Sequence, residues 1–223
     1  MEKKMRILGI NGSPRGNGAT EYALKHALAH IEQMSADFET DYWSVRGKKI
    51  SPCVHCDACI RQRTMCIIED DHREVEQKIL AADALIIASP VYDMNISAQL
   101  AAVLNRIRPV YLVHSGHLAH KIGAAITTGG TRYGGMETAK LPIIHFYMMH
   151  EMLVTGGLGG CYIGGSIWSK DKKAQGATDD AEGMATVLRT AEAVAQATIV
   201  STYGREALRS YNFQTDHDPL QDH

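Results

Sequence analysis

Apolar and polar positions along the chain repeat a strand-then-helix beat. Arg6-Ile7-Leu8-Gly9-Ile10 is a short apolar run that ends at Asn11-Gly12. From Ala19 to Met34 the apolar residues fall at helical spacing, with Tyr22, Ala23, Ala27, Leu28 and Ile31 on one face. The pattern predicts a strand, a tight loop and a helix. Phe38 to Val45 reads as the next strand, Arg73 to Ala82 as a helix, and Ala84-Leu85-Ile86-Ile87-Ala88 as a strand without alternation, as in a parallel sheet covered on both faces. A helix is expected from Ser97 to about Tyr111, a strand over Lys121 to Thr128, and a helix from Met136 to about Met149. A glycine-interrupted fifth strand region follows over Leu153 to Ile163. A long helix from Asp179 to about Thr202 closes the pattern, capped by Thr178 or Asp179 with Glu182 in its first turn.

Five such repeats predict an α/β fold: a flavodoxin-like, doubly wound, five-stranded parallel sheet with an inserted cysteine loop. The expected division is one domain over residues 1–202, carrying that loop at 47–72, and a polar tail over 203–223 that is disordered or reaches a neighbouring subunit. A length of 223 residues, 45% of them hydrophobic, suits one well-buried domain. Lys plus Arg number 23 and Asp plus Glu 25, a net charge of −2, so no basic field exists to hold nucleic acid or an anionic membrane. The apolar stretch after the basic N-terminus is only about five residues, too short for a signal-peptide core, and no stretch approaches the ~20 residues of a membrane span. A cytoplasmic location is expected.

The densest chemistry is the set Cys53, Cys56, Cys59 and Cys66, spaced C-x2-C-x2-C-x6-C. Three thiolates at two-residue intervals match the opening of the bacterial ferredoxin run, in which a short loop wraps an iron–sulfur cube and a more distant cysteine closes the shell. Zinc, reduced thiols and a disulfide pair are the alternatives. Structural zinc sites present two pairs separated by a longer stretch, so a third close cysteine fits them less well. His55 lies inside the loop as a further candidate ligand, although four thiolates already complete a tetrahedral shell. Cys161, in Gly159-Gly160-Cys161-Tyr162, reads as a small packed hydrophobe.

Ligands of open α/β sheets bind where strand ends meet helix starts, and three such loops are unusual. Gly12-Ser13-Pro14-Arg15-Gly16-Asn17-Gly18-Ala19-Thr20 offers freed amides, hydroxyls and a helix N-terminus to an anion, without the endings of a Walker loop or a dinucleotide fingerprint. A monophosphate fits it better than a diphosphate. Ser89-Pro90-Val91-Tyr92-Asp93-Met94-Asn95 forms an apolar, aromatic edge where Tyr92 can border a flat ring. Thr128-Gly129-Gly130-Thr131-Arg132-Tyr133-Gly134-Gly135 permits close backbone approach, with Arg132 as a phosphate or carbonyl partner or a solvated side chain.

Taken in order, these three loops and the cysteine run with Asp70-Asp71 after it resemble the iron–sulfur flavoproteins. These belong to the flavodoxin-like NAD(P)H-dependent flavin and quinone reductases, and the likeness spans roughly residues 5 to 165. The resemblance implies FMN, a four-iron four-sulfur cluster held by the four cysteines, and a homodimer or homotetramer. By position, Ser13, Arg15, Asn17, Ala19 and Thr20 would hold the phosphate, Pro90, Val91, Tyr92 and Asp93 would border the isoalloxazine, and Thr128, Gly129 and Gly130 would pack against its other edge. Asp93 would bring a carboxylate near the flavin or cap the following helix. The expected activity is electron transfer through the cluster to FMN and on to a small-molecule acceptor, with ferredoxin as donor. The alternatives are an NAD(P)H-dependent FMN or quinone reductase whose cysteine loop holds zinc or nothing, and a redox sensor. No hydrolase triad or metal-hydrolase motif competes.

Overall fold

The computed structural model of the protein describes residues 4–211. Strand β1 (Met5–Asn11) leads through the first loop to helix α1 (Ala19–Met34), and β2 (Phe38–Ser44) leads into the cysteine loop. A five-residue helix α2 (Ala58–Gln62) forms within that loop, and α3 (His72–Ala81) follows it. Then come β3 (Ala84–Pro90), α4 (Ala98–Asn105), α5 (Arg108–Leu112), β4 (Ile122–Gly129), α6 (Met136–Met149), β5 (Leu153–Val154), β6 (Gly165–Trp168), α7 (Lys173–Asp179) and α8 (Ala181–Leu208).

All strand pairings are parallel, in the order β2-β1-β3-β4-β5, with β6 also on β4. The chain therefore winds outward from β1 in both directions, and the crevice between the β1 and β3 ends is the switch point of a flavodoxin-like sheet. Each central strand buries both faces. Ile7, Ala84, Ile86, Ala88, Ile122, Ala124 and Ile126 pack with apolar residues of α1 and α8, while Leu8, Ile10, Leu85, Ile87 and Ala125 pack with those of α3, α4 and α6. Two cores result, one on each side of the sheet.

Four expectations are corrected. The fifth position of the sheet is shared by two short strands: β5 pairs with Ile122 and Gly123, β6 pairs with Ile126 to Gly129, and residues 155–164 form the loop between them. Gly159, Gly160, Tyr162 and Gly164 all take positive φ there, which a strand cannot accommodate, so the strand read over Leu153 to Ile163 is confined to its first two residues. The helix read from Ser97 to Tyr111 breaks at Arg106 and Ile107, because Pro109 offers no N–H and its ring would clash with the carbonyl four residues back. The long helix is capped by Asp180, whose side chain accepts from the Gly183 amide, and not by Thr178 or Asp179. It also runs through Tyr203 to Leu208, so the polar tail does not begin at 203, and its remainder over 212–223 lies outside the described residues.

Candidate functional site

At the carboxyl edge, the three predicted loops are tied to one another by buried polar contacts. Asn11, fully buried, donates from Nδ2 to the Tyr42 hydroxyl at 2.9 Å and accepts from the Ser13 amide at 2.9 Å, which fixes the exit of β1. Ser13 Oγ accepts from the Arg15 amide at 3.2 Å. Ser97 joins the first two loops: its hydroxyl donates to the Gly12 carbonyl at 2.6 Å, and its amide donates to Ser89 Oγ at 3.2 Å. The third loop is held by the Thr20 and Thr128 hydroxyls, 2.6 Å apart, and by the Val91 amide on the Thr128 carbonyl. No side chain caps α1 at Gly18, so its first-turn amides remain available to an anion.

These contacts enclose a cavity of about 80 Å³ lined by Ser13, Arg15, Ala19, Thr20, Pro90, Val91, Tyr92, Thr128 and Gly130, nine of the twelve residues named from sequence. The other three stand apart from it. Asn17 is exposed, at φ 53°, with its amide committed to the Glu21 carboxylate at 3.0 Å. The Gly129 carbonyl is taken by the amide and hydroxyl of Ser169. Asp93 sits exposed at the tip of a tight turn and caps nothing, since Ser97 caps α4.

The sequence reading missed the loop between β6 and α7, which adds Ser169, Asp171 and Lys173 to the cavity. Asp171, not Asp93, is therefore the carboxylate nearest the cradle, and it lies so close to Gly130 that a Cβ there would stand 2.4 Å from Asp171 Oδ1. Lys170, Asp171 and Lys173 all take φ between 51° and 56°, each at a cost of about 1 kcal/mol or more for a non-glycine residue. Beside them the Trp168 ring lies between Arg132 at 4.3 Å and Lys170 at 4.4 Å, its Nε1 donating to the Gly130 carbonyl. A run of mixed charge, Ser169 to Lys173, directly after the apolar Ile167-Trp168 pair was the available signal.

The cysteine loop builds a second cavity. Cys53, Cys56, Cys59 and Cys66 all line it, with Val54, Ile67, Ile68, Pro109, Asp57, Arg106 and Arg108 completing the wall. Among the described residues no three His, Cys, Asp or Glu side chains converge as ligands of a single ion would. The loop is shaped by left-handed residues at His55, Asp57 and Arg63, and the His55 amide donates to Cys53 Sγ at 3.4 Å. The His55 imidazole is 72% exposed and leans toward Asp57. Burial pushes the Cys59 thiol up, with the Arg108 guanidinium opposing it, while Arg108, 2.6 Å from Asp57 Oδ1, holds that carboxyl below its usual range.

The sheet order and the cradle at its switch point define a protein of the flavodoxin-like class, and the family it matches makes it a flavin-dependent oxidoreductase. The profile of the NADPH-dependent FMN reductase family matches residues 5–159. An iron–sulfur flavoprotein of Methanocaldococcus jannaschii is 39% identical over 83% of this chain and 93% of its own length. One from Archaeoglobus fulgidus is 40% identical over 85% and 95%. The chain thus belongs to the iron–sulfur flavoproteins within the FMN reductase family. In fold it is also similar to a flavodoxin, a WrbA-like protein from Agrobacterium tumefaciens, at a TM-score of 0.54 and 14% identity, covering 92% of this chain and 99% of that one. Among the described residues no helix is long and apolar enough to cross a membrane.

Proposed function

We propose that this protein takes single electrons at a four-iron four-sulfur cluster held by Cys53, Cys56, Cys59 and Cys66 and delivers them through FMN to a small-molecule acceptor, with ferredoxin as donor. The observation that carries this reading is the second cavity, which all four cysteines line together. Three cysteines at two-residue intervals with a fourth beyond them suit a cubane better than a structural zinc, which takes two separated pairs. When bound, the cluster supplies one-electron chemistry and the flavin converts it to two-electron chemistry. The cradle supports FMN and not a dinucleotide, since it offers one uncapped helix end, the Ser13 and Thr20 hydroxyls and room for a phosphoryl group, with Tyr92 and Pro90 beyond it for the ring. Within this reading the protein is cytoplasmic and a homodimer or homotetramer, and residues 1–202 with the inserted loop 47–72 are its cofactor-binding part.

The family's own description favours one second reading, direct reduction of the flavin by NADPH with the cysteine loop as a brace. Anaerobic stopped-flow separates the two. If the cluster is the port, reduced ferredoxin reduces FMN rapidly in the wild type and slowly in a cluster-free Cys59→Ser variant that still binds FMN. Rapid reduction of both proteins by NADPH, with no dependence on the loop, would replace the proposal by the second reading.

A further inference from the structure

Cys66 is the outlying member of the thiol set, and its setting is supplied largely from outside its own loop. From α3, Glu76, 3% exposed, brings its carboxyl near the Cys66 backbone. From the turn between α4 and α5, Arg106, 1% exposed, lines the same chamber as the Cys66 thiol. The same guanidinium pins both stems of the loop. Nη1 donates to the Ser51 carbonyl at 3.3 Å and to Asp70 Oδ2 at 2.5 Å, and Nη2 donates to the Ile68 carbonyl at 2.9 Å. Asp70 is itself fixed by the Ser51 and His72 amides at 2.9 and 3.0 Å.

Closing a loop does not require a charge. A buried cation costs several kcal/mol to desolvate, and apolar side chains of similar volume hold chain segments together as well or better. Arg108 also lines the cavity, but it is a quarter exposed and neutralised at the rim by Asp57. Among the described residues of the chamber wall, the one cation held dry is Arg106, paired with Asp70 and lining the chamber with Cys66.

We propose that Arg106 is a positioning residue for the group that the four cysteines hold: it orients the Cys66 thiolate, and its fixed charge stabilises the reduced state and so sets the potential. The inference rests on the iron–sulfur reading above. Reduction adds one electron and hence one negative charge to the thiolate-bound group, while the guanidinium keeps its proton, so a nearby cation favours the reduced form.

The test compares wild type, Arg106→Gln, Arg106→Lys and Asp70→Asn, purified without air. Iron, sulfide and FMN contents are measured, and then the midpoint is read by EPR-monitored titration. At a given potential, Arg106→Gln should lower the reduced-to-oxidised ratio at least tenfold, equal to 59 mV for one electron. Asp70→Asn leaves Arg106 unneutralised and should move the midpoint the other way, and Arg106→Lys should fall between wild type and Arg106→Gln. A loosened, wetter cavity would shift all variants in one direction, so equal signs, or a loaded Arg106→Gln protein with an unchanged midpoint, overturn the proposal. Should Arg106→Gln not fold, the opposed signs of Arg106→Lys and Asp70→Asn decide. A wild type without iron and sulfide removes the functional reading itself, whereas a loaded wild type with indifferent variants removes only this inference.

Discussion

Acid should destabilise this fold through imidazoles that the core keeps neutral, and His150 offers a clean measure of it. His150 follows α6, is 4% exposed, packs against Phe146 and Tyr111, and has no hydrogen-bond partner at Nε2. Burial pushes its pKa down from 6.5 to about 4. The unfolded chain therefore binds a proton at a pH where the folded protein does not. Stability is full above the ordinary value of 6.5 and is lost as pH falls toward 4. At pH 5 the unfolded imidazole is almost wholly protonated and the folded one only about one-tenth so, a difference that costs about 2 kcal/mol. His72, fully buried with its pKa also near 4, adds a similar loss. His150→Leu removes one of these losses along with an unpaired buried nitrogen, so at pH 7.5 it should be neutral or stabilising. Urea unfolding at pH 7.5, 6, 5.5 and 5 measures the outcome. The variant should lose about 2 kcal/mol less than wild type between the ends of that range. Parallel pH profiles for the two proteins would show that His150 is not held neutral and refute the reasoning.

Cys56→Ser should remove most of the iron while FMN remains bound, because the cradle is built from other loops; metal analysis beside flavin release checks both halves. Thr20→Val should weaken FMN binding by about 1 to 3 kcal/mol by deleting a buried hydroxyl that already bonds Thr128, and fluorescence titration of the apoprotein with FMN should register it. Tyr147→Phe should destabilise the fold by about 1 to 3 kcal/mol, because the buried Tyr147 hydroxyl accepts from the Ile87 amide and donates to the Ala124 carbonyl between β3 and β4. Thermal or urea unfolding reads it directly.

The parts of the fold that were legible in the sequence are those where periodicity and burial coincide. Ala84 to Ala88 is unbroken apolar sequence because both faces of β3 are covered, and Met136 to Met149 keeps helical spacing through Pro142, so both elements could be read from side-chain type alone. The cradle was legible because glycines and hydroxyls cluster at strand ends. What escaped was set by contacts distant in sequence. β6 is four residues long and pairs with β4 some forty positions earlier, too short to show a period. Its loop brings Ser169, Asp171 and Lys173 to the cavity only because β6 takes the upper half of the fifth sheet position. Those residues also lie beyond the segment that the family profile matches, so neither pattern nor family pointed to them. Asp93 misled for the opposite reason: its neighbours line the cavity, but a left-handed turn at Asp93 and Met94 carries its side chain to the surface.

The break after α4 has a consequence for how the two cavities are joined. Ser97, at the start of α4, holds the Gly12 carbonyl and the Ser89 hydroxyl, so that end of the helix belongs to the first cavity. Arg106, nine residues on and so about 14 Å along the axis, belongs to the cysteine chamber. One short helix thus spans the distance between the two sites. A continuous helix from Ser97 to Tyr111 would not serve, because residues two apart on a helix do not face each other. Arg106 and Arg108 would then point to different sides, and only one could reach the thiols. With the helix ended at Asn105 and restarted at Arg108, both guanidinium groups line the same chamber, one buried on Asp70 and the other at the rim on Asp57. Pro109, which breaks the helix expected from the sequence, is therefore part of what places two positive charges beside four cysteines.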